Sequence, residues 1–227
     1  MAALIEATQR PTTDLISSTS TKVAVKALMD GTLSIMDFAN VMSLEGRVFS
    51  ASAGSVTTPV TFGAGTIDTT EPDLQIIVPS GTTIIPLDIL LVMEAYGSTA
   101  LFEFMASIGQ GSTVAHGTDT DVTPVNVNLG YGTNTACTVG AASNADAVYQ
   151  TSNIVEFWRG CEPVAVTVAT ADDDSTFYPV NYSWKAKDAG YLPILNGKGA
   201  LTVFAASQAG TGFIQCRWAE FPTAYLS

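Results

Sequence analysis

The chain has 227 residues, of which 47% are hydrophobic and only 13% are charged, whereas a typical soluble domain is about 25% charged. Nine Lys and Arg against 21 Asp and Glu give a net charge of −12, which argues against binding nucleic acid by neutralising phosphates. Three cysteines without Cys-x-x-Cys spacing fit a reduced protein better than a disulfide framework. So few surface charges indicate a subunit that is covered by copies of itself or by partners.

The first 44 residues are predicted to form an N-terminal arm that contains one short amphipathic helix. Residues 1–20 are rich in Thr, Ser and Ala, a composition typical of a segment that is flexible or is ordered by a partner. Glu6 interrupts the apolar patch near the N-terminus and no basic region precedes it, so we expect no signal peptide.

One helix is predicted over Thr32–Met42, with Thr32 as its N-cap. Ile35, Phe38 and Met42 follow at helical spacing and form an apolar stripe. A helix of about three turns is not stable alone in water. We therefore expect the helix to dock on the body of the protein or, together with the arm, to reach onto an adjacent subunit.

From residue 45 onward the hydrophobic pattern has a period of two, which indicates β-strands. In Thr83–Tyr96, every second residue from Ile85 to Ala95 is predicted to lie on one continuous apolar face. The short turn that follows predicts a hairpin with Phe102–Ile108. The last two strands, joined by Gln208–Gly212, are predicted to form a second hairpin.

Residues 45–227 are therefore predicted to form an all-β domain, an antiparallel eight-stranded β-sandwich with a C-terminal tail, and the jelly roll is the leading topology. A strand is expected around Val164–Val168, with long loops at 110–147 and 170–198. Two strand faces without charge are expected to be covered by neighbouring subunits, namely Ala165/Thr167/Ala169 and Ala200/Thr202/Phe204.

Few side chains suggest chemistry. His116 is the only histidine, so a catalytic triad or a histidine-based metal site would have to use it, but its sequence context favours an ordinary loop residue. Asp172, Asp173 and Asp174 predict a solvated loop tip, with a Ca²⁺ site as the alternative. The cysteines are expected to be small buried hydrophobic residues. We predict no catalytic, cofactor or metal site, and a protein that is not an enzyme.

The aromatic residues in or beside the later loops are Trp158, Tyr178, Tyr182, Trp184 and Tyr191. They are better candidates for an interaction site, because exposed Tyr and Trp suit protein interfaces and sugar stacking. Filling of the core is the alternative for about half of them. Together with the helix, they give the following candidate interaction residues: Ile35, Phe38, Met42, Trp158, Tyr178 and Trp184.

Two stretches of this chain, Ile77–Ala95 and Gly199–Pro222, resemble viral single-jelly-roll virion proteins of the bacteriophage type. The resemblance covers residues 45–221 and is one of overall pattern, with an N-terminal arm, strands rich in Thr, Ala and Gly, and long loops. It implies a non-enzymatic capsid or capsid-associated subunit, in the shell, at a vertex or as decoration. Such a protein is made in the host cytoplasm and found in the virion.

The same resemblance implies that the partners are other virion proteins and copies of the chain itself, arranged as trimers or pentamers. No membrane span is expected. The arm is not strongly basic, unlike that of many capsid proteins, so we expect no direct contact with nucleic acid. A carbohydrate- or receptor-binding jelly-roll module that uses the aromatic loop residues is the alternative function.

Overall fold

The computed structural model describes residues 6–9, 21–24, 37–62, 66–95, 101–111, 120–132, 134–141, 152–163, 181–206 and 210–225. Over these residues the protein is mostly antiparallel β-structure, arranged as two sheets packed together. One α-helix, α1, lies within the described ranges, at Phe38–Leu44. The prediction of an all-β protein with two packed sheets is confirmed.

The strands are, in chain order, β1 (Glu6–Gln9), β2 (Thr21–Ala24), β3 (Val48–Ala53), β4 (Val60–Thr61), β5 (Leu74–Val78), β6 (Thr82–Ala95), β7 (Leu101–Gln110), β8 (Thr120–Val122), β9 (Val125–Asn126), β10 (Thr138–Ala141), β11 (Ser152–Pro163), β12 (Asn181–Lys185), β13 (Leu195–Asn196), β14 (Gly199–Ala206) and β15 (Thr211–Pro222). Two short 3₁₀ turns follow β12 and β15, at Ala186–Asp188 and Thr223–Tyr225.

The first sheet has the strand order β11-β7-β14-β5-β10-β8, and the second has the order β12-β6-β15-β3-β9. β13 continues the second sheet beside β6, and β4 continues it beside β15. β1 and β2 pair with each other in a separate two-stranded sheet within the predicted arm. The arm prediction missed this pairing, which is marginal in water for two strands alone.

Both predicted hairpins are wrong. β6 and β7 lie in different sheets, and so do β14 and β15. β7 pairs with β11 and β14, whereas β15 pairs with β3 and β6. A short connection between two alternating runs can turn within one sheet or cross to the opposite sheet, and the local sequence is similar in both cases.

The core lies between the two sheets. It is formed by the side chains that point inward from each strand, which alternate with those that point outward. Its largest fully buried side chain is Trp218 at the centre of β15. Ile89 and Leu91 of β6 pack in the same cluster, as do Leu74 and Ile76 of β5. Apolar side chains from both sheets therefore form one continuous core.

A β-bulge interrupts the long strand β6 at Leu87. Arg217 of β15 lies opposite Asp88, but the next residue, Trp218, lies opposite Pro86. Leu87 is thus an extra residue in β6. Because side chains alternate between the faces of a strand, one extra residue reverses which face each later residue occupies.

The predicted continuous face from Ile85 to Ala95 is therefore wrong at its beginning. Ile84 and Ile89 both face the core between the sheets. Ile85 instead packs on the outer side of the second sheet, in a cluster with Val48, Ala219 and Phe221 against which Leu87 and Met42 pack. The bulge lets one strand supply apolar residues to both sides of its sheet.

The outer face of β14 is buried within the single chain. Ala200, Thr202 and Phe204 are at most 1% exposed, and Ile67 packs against the pair formed by Phe204 and Met105. The prediction that neighbouring subunits cover this face is therefore wrong. The other face proposed for such cover, Ala165/Thr167/Ala169, lies outside the described residues, as does the strand predicted around Val164–Val168.

Two predicted loops contain strands. β8, β9 and β10 lie within 110–147, and β12 and β13 lie within 170–198. β11, with 12 residues, lies in a region where no strand was predicted. The strands inside these loops have at most five residues each, too few for a period-two pattern to stand out, and they form because longer strands offer them pairing partners.

Helix α1 begins six residues later than predicted, because Asp37 has an extended backbone (φ −64°, ψ 147°) and precedes the first helical residue. Its end is set by Gly46, whose φ of +68° favours glycine. Gly46 N–H donates to Ser43 O, and Arg47 N–H donates to Met42 O at 2.9 Å. This is the Schellman pattern of helix termination. The predicted N-cap, Thr32, lies outside the described residues.

Candidate interaction surfaces

A group of exposed apolar side chains lies beside β9 at one end of the second sheet. Its members are between 41% and 84% exposed, and Leu129 is the most exposed of them. We call this group the first apolar surface; it consists of Leu44, Val125, Val127, Leu129 and Tyr131. Four of the five come from residues 122–145, a stretch of sequence without a single charged residue.

Two asparagines fix the backbone of this surface. Asn126 donates its side-chain amide to Gly46 O at 2.7 Å, and its own Oδ1 accepts the backbone N–H of Asn128 at 2.9 Å. Asn128 donates to Leu44 O and accepts the N–H of Gly130. These hydrogen bonds connect the turn after β9 to the end of α1. They hold in place the backbone that carries the exposed apolar side chains.

Tyr131, which follows the same turn, packs against the C-terminal end of helix α1. Its ring lies so close to Gly46 that a Cβ at that position would be 2.4 Å from Tyr131 Cγ. Two open grooves, of about 440 and 430 Å³, share Leu129 and Val127 in their walls. The side chains around them, such as Asn40 and Gln215, are polar but uncharged. The grooves themselves therefore favour apolar, uncharged side chains of a partner.

A second group of exposed apolar side chains lies along β11 and the segment that joins β12 to β13. Its members are between 45% and 54% exposed. We call this group the second apolar surface; it consists of Ile154, Val155, Tyr191, Leu192 and Ile194. The Nε2 of Gln110 donates to Asn196 O at 2.8 Å, and Gln110 Oε1 lies 3.5 Å from Asn153 Nδ2. These contacts link the start of β11 to β13.

The two surfaces lie on opposite sides of the sandwich. β9 is the last strand at one end of the second sheet, and β12 is the last strand at the other end. β11, at the end of the first sheet, lies next to β12, because the rings of Phe157 and Trp184 are 4.8 Å apart and Tyr182 donates a hydrogen bond to Glu162. On the other side, β3 contacts β8 and β10.

The two tryptophans proposed as interaction residues are held inside the chain to different extents. Trp184 is only 7% exposed and packs in the core, so its assignment to an interaction surface is wrong. Trp158 is half-buried, with its ring centroid 4.7 Å from that of Phe104. Trp184 lies between the edge strands β12 and β11, whereas Trp158 of β11 packs on the neighbouring strand β7. Tyr178 lies outside the described residues.

The helix residues contact the sheet of their own chain. Met42 packs on the cluster of Val48, Ile85, Ala219 and Phe221. Phe38 is 42% exposed, and its ring centroid is 6.3 Å from that of Phe221. Within Phe38–Leu44 the helix thus docks on the body of its own chain, which is one of the two expected alternatives, while a contact of its exposed residues with an adjacent subunit stays a prediction. Ile35 lies outside the described residues.

The residues considered for chemistry give no site in the described part of the chain. His116 and Asp172–Asp174 lie outside it, and the described residues contain no group of three His, Cys, Asp or Glu that could hold a metal ion. Cys137 and Cys216 are buried as predicted, whereas Cys161 is exposed, contrary to the prediction. Burial raises the pKa of the Cys137 and Cys216 thiols, and the charge of Glu220 raises that of Cys137 further. Neither buried thiol is activated as a nucleophile.

Comparison with models of protein families, with curated proteins and with solved structures gave no match to this chain. Within the described ranges, no helix has the length and apolar character needed to cross a membrane.

Apart from Tyr191, which was among the aromatic loop residues considered, the sequence analysis missed the two apolar surfaces, although a signal for them was present. Residues 122–145 and 189–197 carry no charge, and seven of the ten surface residues come from these two stretches. A search of the sequence for uncharged stretches that contain Val, Leu, Ile or Tyr in turns would have identified the two surfaces.

Proposed function

We propose that this chain is a non-enzymatic structural subunit of a virion, a capsid or capsid-associated protein that assembles through lateral contacts of its sandwich. The observation that carries the proposal is the pair of exposed apolar surfaces on opposite sides of one sandwich. Contiguous exposed apolar side chains mark interaction sites in soluble proteins. A subunit with one such surface on each side is suited to contact two neighbours in the same layer.

The jelly-roll topology belongs to the same proposal and is supported by strand pairing. Eight of the described strands have five or more residues: β3, β5, β6, β7, β11, β12, β14 and β15. The first of these pairs with the eighth, the second with the seventh, the third with the sixth and the fourth with the fifth. This nested order arises when one long two-stranded ribbon folds over into two sheets, as in a jelly roll.

Jelly rolls occur in viral capsids and in lectins, so topology alone does not choose between assembly and sugar binding. Burial favours assembly. A stacking site for a sugar needs an exposed aromatic face, whereas Trp184 is buried and the ring of Trp158 packs on Phe104. Of the ten exposed side chains in the two apolar surfaces, eight are aliphatic and two, Tyr131 and Tyr191, are aromatic, and grouped apolar side chains of this kind suit contacts between proteins.

The charge of the chain adds a second support. Copies with a net charge of −12 repel one another within the Debye length, about 8 Å at physiological ionic strength. Close contact is therefore least unfavourable through surfaces that carry no charge. Both apolar surfaces are of this kind.

The proposal is tested by the mass of the native protein. The purified full chain is concentrated and measured by size-exclusion chromatography with light scattering, and the same sample is imaged by negative-stain electron microscopy. We expect discrete particles of many copies. A monomer of 23.7 kDa at high concentration, with or without the other proteins of the same virion, would refute the proposal. Monomers that bind a glycan array would favour the carbohydrate-binding alternative instead.

A further inference from the structure

The two apolar surfaces differ in the charges that surround them. The segments that carry the first surface, 37–47 and 120–132, contain Asp37, Glu45, Asp121 and Arg47, a net charge of −2. All but Arg47 are exposed. Arg47 donates to Glu45 at 2.9 Å, which leaves Asp37 and Asp121 as the charges that set the sign. The first apolar surface therefore has an acidic border.

The second surface has the opposite border. All three lysines of residues 37–227 lie between positions 185 and 198, together with Asp188, and this segment has a net charge of +2. Lys185, Lys187 and Lys198 are all exposed. β11 adds Glu156, Arg159 and Glu162, of which Glu156 and Arg159 form an ion pair at 2.7 Å, so the two segments together keep a net charge of +1. In a chain of net charge −12, the second apolar surface is thus the basic region of the sandwich.

From these borders we infer that copies of this chain associate head to tail, with the first apolar surface of one copy packed on the second apolar surface of the next. The inference rests on the proposed function and specifies its contact. Complementary borders attract each other and steer the approach of two copies. A contact between two first surfaces would bring Asp121 near its own equivalent, and a contact between two second surfaces would bring lysines together.

The shapes of the two surfaces fit the same arrangement. Leu129 is 84% exposed and projects between two grooves. Leu192 and Ile194 flank the buried Pro193 in a segment anchored by β13. A projecting aliphatic side chain and two grooves can interlock with a row of exposed apolar residues. Because the two surfaces lie on opposite sides of the sandwich, each copy keeps one free surface after the first contact, and repetition gives a closed ring or an extended array.

Two variants test the inference, Leu129→Glu in the first surface and Tyr191→Glu in the second. Both residues are exposed in turns, so the substitutions are expected to leave the fold intact. Val56→Glu serves as the matched control, because Val56 is fully exposed and belongs to neither surface. Circular dichroism and thermal unfolding verify that the three variants fold like the wild type.

Head-to-tail association predicts a specific pattern of masses by light scattering. Each surface variant alone is expected to lose assembly and to run as single copies, while Val56→Glu assembles like the wild type. An equal mixture of the two surface variants is expected to form dimers and nothing larger. One intact first surface then meets one intact second surface, and the outer ends of the dimer are both defective.

Other results overturn the inference in recognisable ways. If each surface paired with itself, either variant alone would form dimers through its intact surface. If the contacts lay elsewhere, both variants would assemble like the wild type, which would leave the proposed function standing. If the wild type itself remained a single copy, the proposed function would fail and the inference with it. A mixture that stays monomeric, although the wild type assembles, also contradicts the head-to-tail contact.

Discussion

The outer faces of the two sheets differ in how far their side chains are buried within the chain. In β14 of the first sheet, all eight residues are buried, so both faces of the strand lie inside the protein. In β15 of the second sheet, burial alternates, and Arg217 on the outer face is exposed. Both strands are central in their sheets and both are poor in charge. A strand without charges can therefore be covered by its own chain, and a neighbouring subunit is not required to explain it.

The largest difference between the two faces is expected for large apolar side chains. Phe204→Ala, on the outer face of the first sheet, should lower the free energy of unfolding by about 3–5 kcal/mol, because Phe204 is 1% exposed and packs on Met105. Leu90→Ala, on the outer face of the second sheet, should cost less than half as much, since Leu90 is only half-buried. Urea unfolding of both variants measures the difference. Equal losses would show that the second sheet is also covered.

A smaller effect is expected where α1 covers part of the outer face of the second sheet. Met42→Ala should lower the free energy of unfolding by about 1–2 kcal/mol, below the range for a fully buried methionine, because Met42 packs on Ile85 and Phe221 but is only partly buried. Leu44→Ala, at an exposed position of the same helix, is the control and should change stability by less than about 0.5 kcal/mol. If both variants behaved alike, the helix would not be docked on its own sheet.

For the buried amide of Gln75, on the outer face of the first sheet, we expect a substitution to raise the stability of the protein instead of lowering it. Gln75 is fully buried on β5, and among the described residues neither its Nε2 nor its Oε1 has a hydrogen-bond partner. Burying an unpaired amide is unfavourable, so Gln75→Met should raise the free energy of unfolding by about 1 kcal/mol. Gln215→Met, at a half-buried position of β15, should leave it nearly unchanged. Chemical denaturation detects a gain of this size, and a loss at Gln75 would mean that the amide is satisfied.

The smallest effect is expected for the ion pair on the outer face of the second sheet. Arg217 Nε donates to Asp88 Oδ1 at 2.8 Å, and the arginine side chain is 45% exposed. Exposed pairs contribute little because water and salt screen them. Arg217→Ala should therefore change stability by less than about 1 kcal/mol, and the change should shrink in 1 M NaCl, where the Debye length is about 3 Å. A larger, salt-independent loss would show that the arginine stem contributes through packing.

Several local features were predictable because they depend on neighbouring residues alone. The period-two runs around Ile89 and Ile214 correspond to β6 and β15. A helix was expected near Phe38 and is present there, although its start differs. Its end coincides with a glycine of positive φ.

Features that depend on strand partners were predicted wrongly. The bulge at Leu87 is a register shift in the pairing of β6 with β15, and nothing in the sequence of β6 alone specifies it. The candidate interaction residues were also predicted wrongly where their exposure depends on neighbouring strands. Trp184 carries the expected residue type for an interface, but the neighbouring edge strand β11 buries it. Leu129, which is exposed, was not selected, and exposed Tyr191 was named among the aromatic loop residues but not included in the final candidates. Their exposure depends on how the turns that carry them are placed against distant strands.

By itself, the sequence determined an all-β protein with low charge, one short helix and stretches free of charge where apolar residues meet the surface. These properties follow from residue type and from spacing over a few positions. The tertiary structure alone decided that β6 and β7 lie in different sheets, that β14 is covered from within, and that the two apolar surfaces lie on opposite sides with borders of opposite charge. The reason is physical: these properties arise from contacts between residues far apart in the chain, which the pairing of the strands brings together.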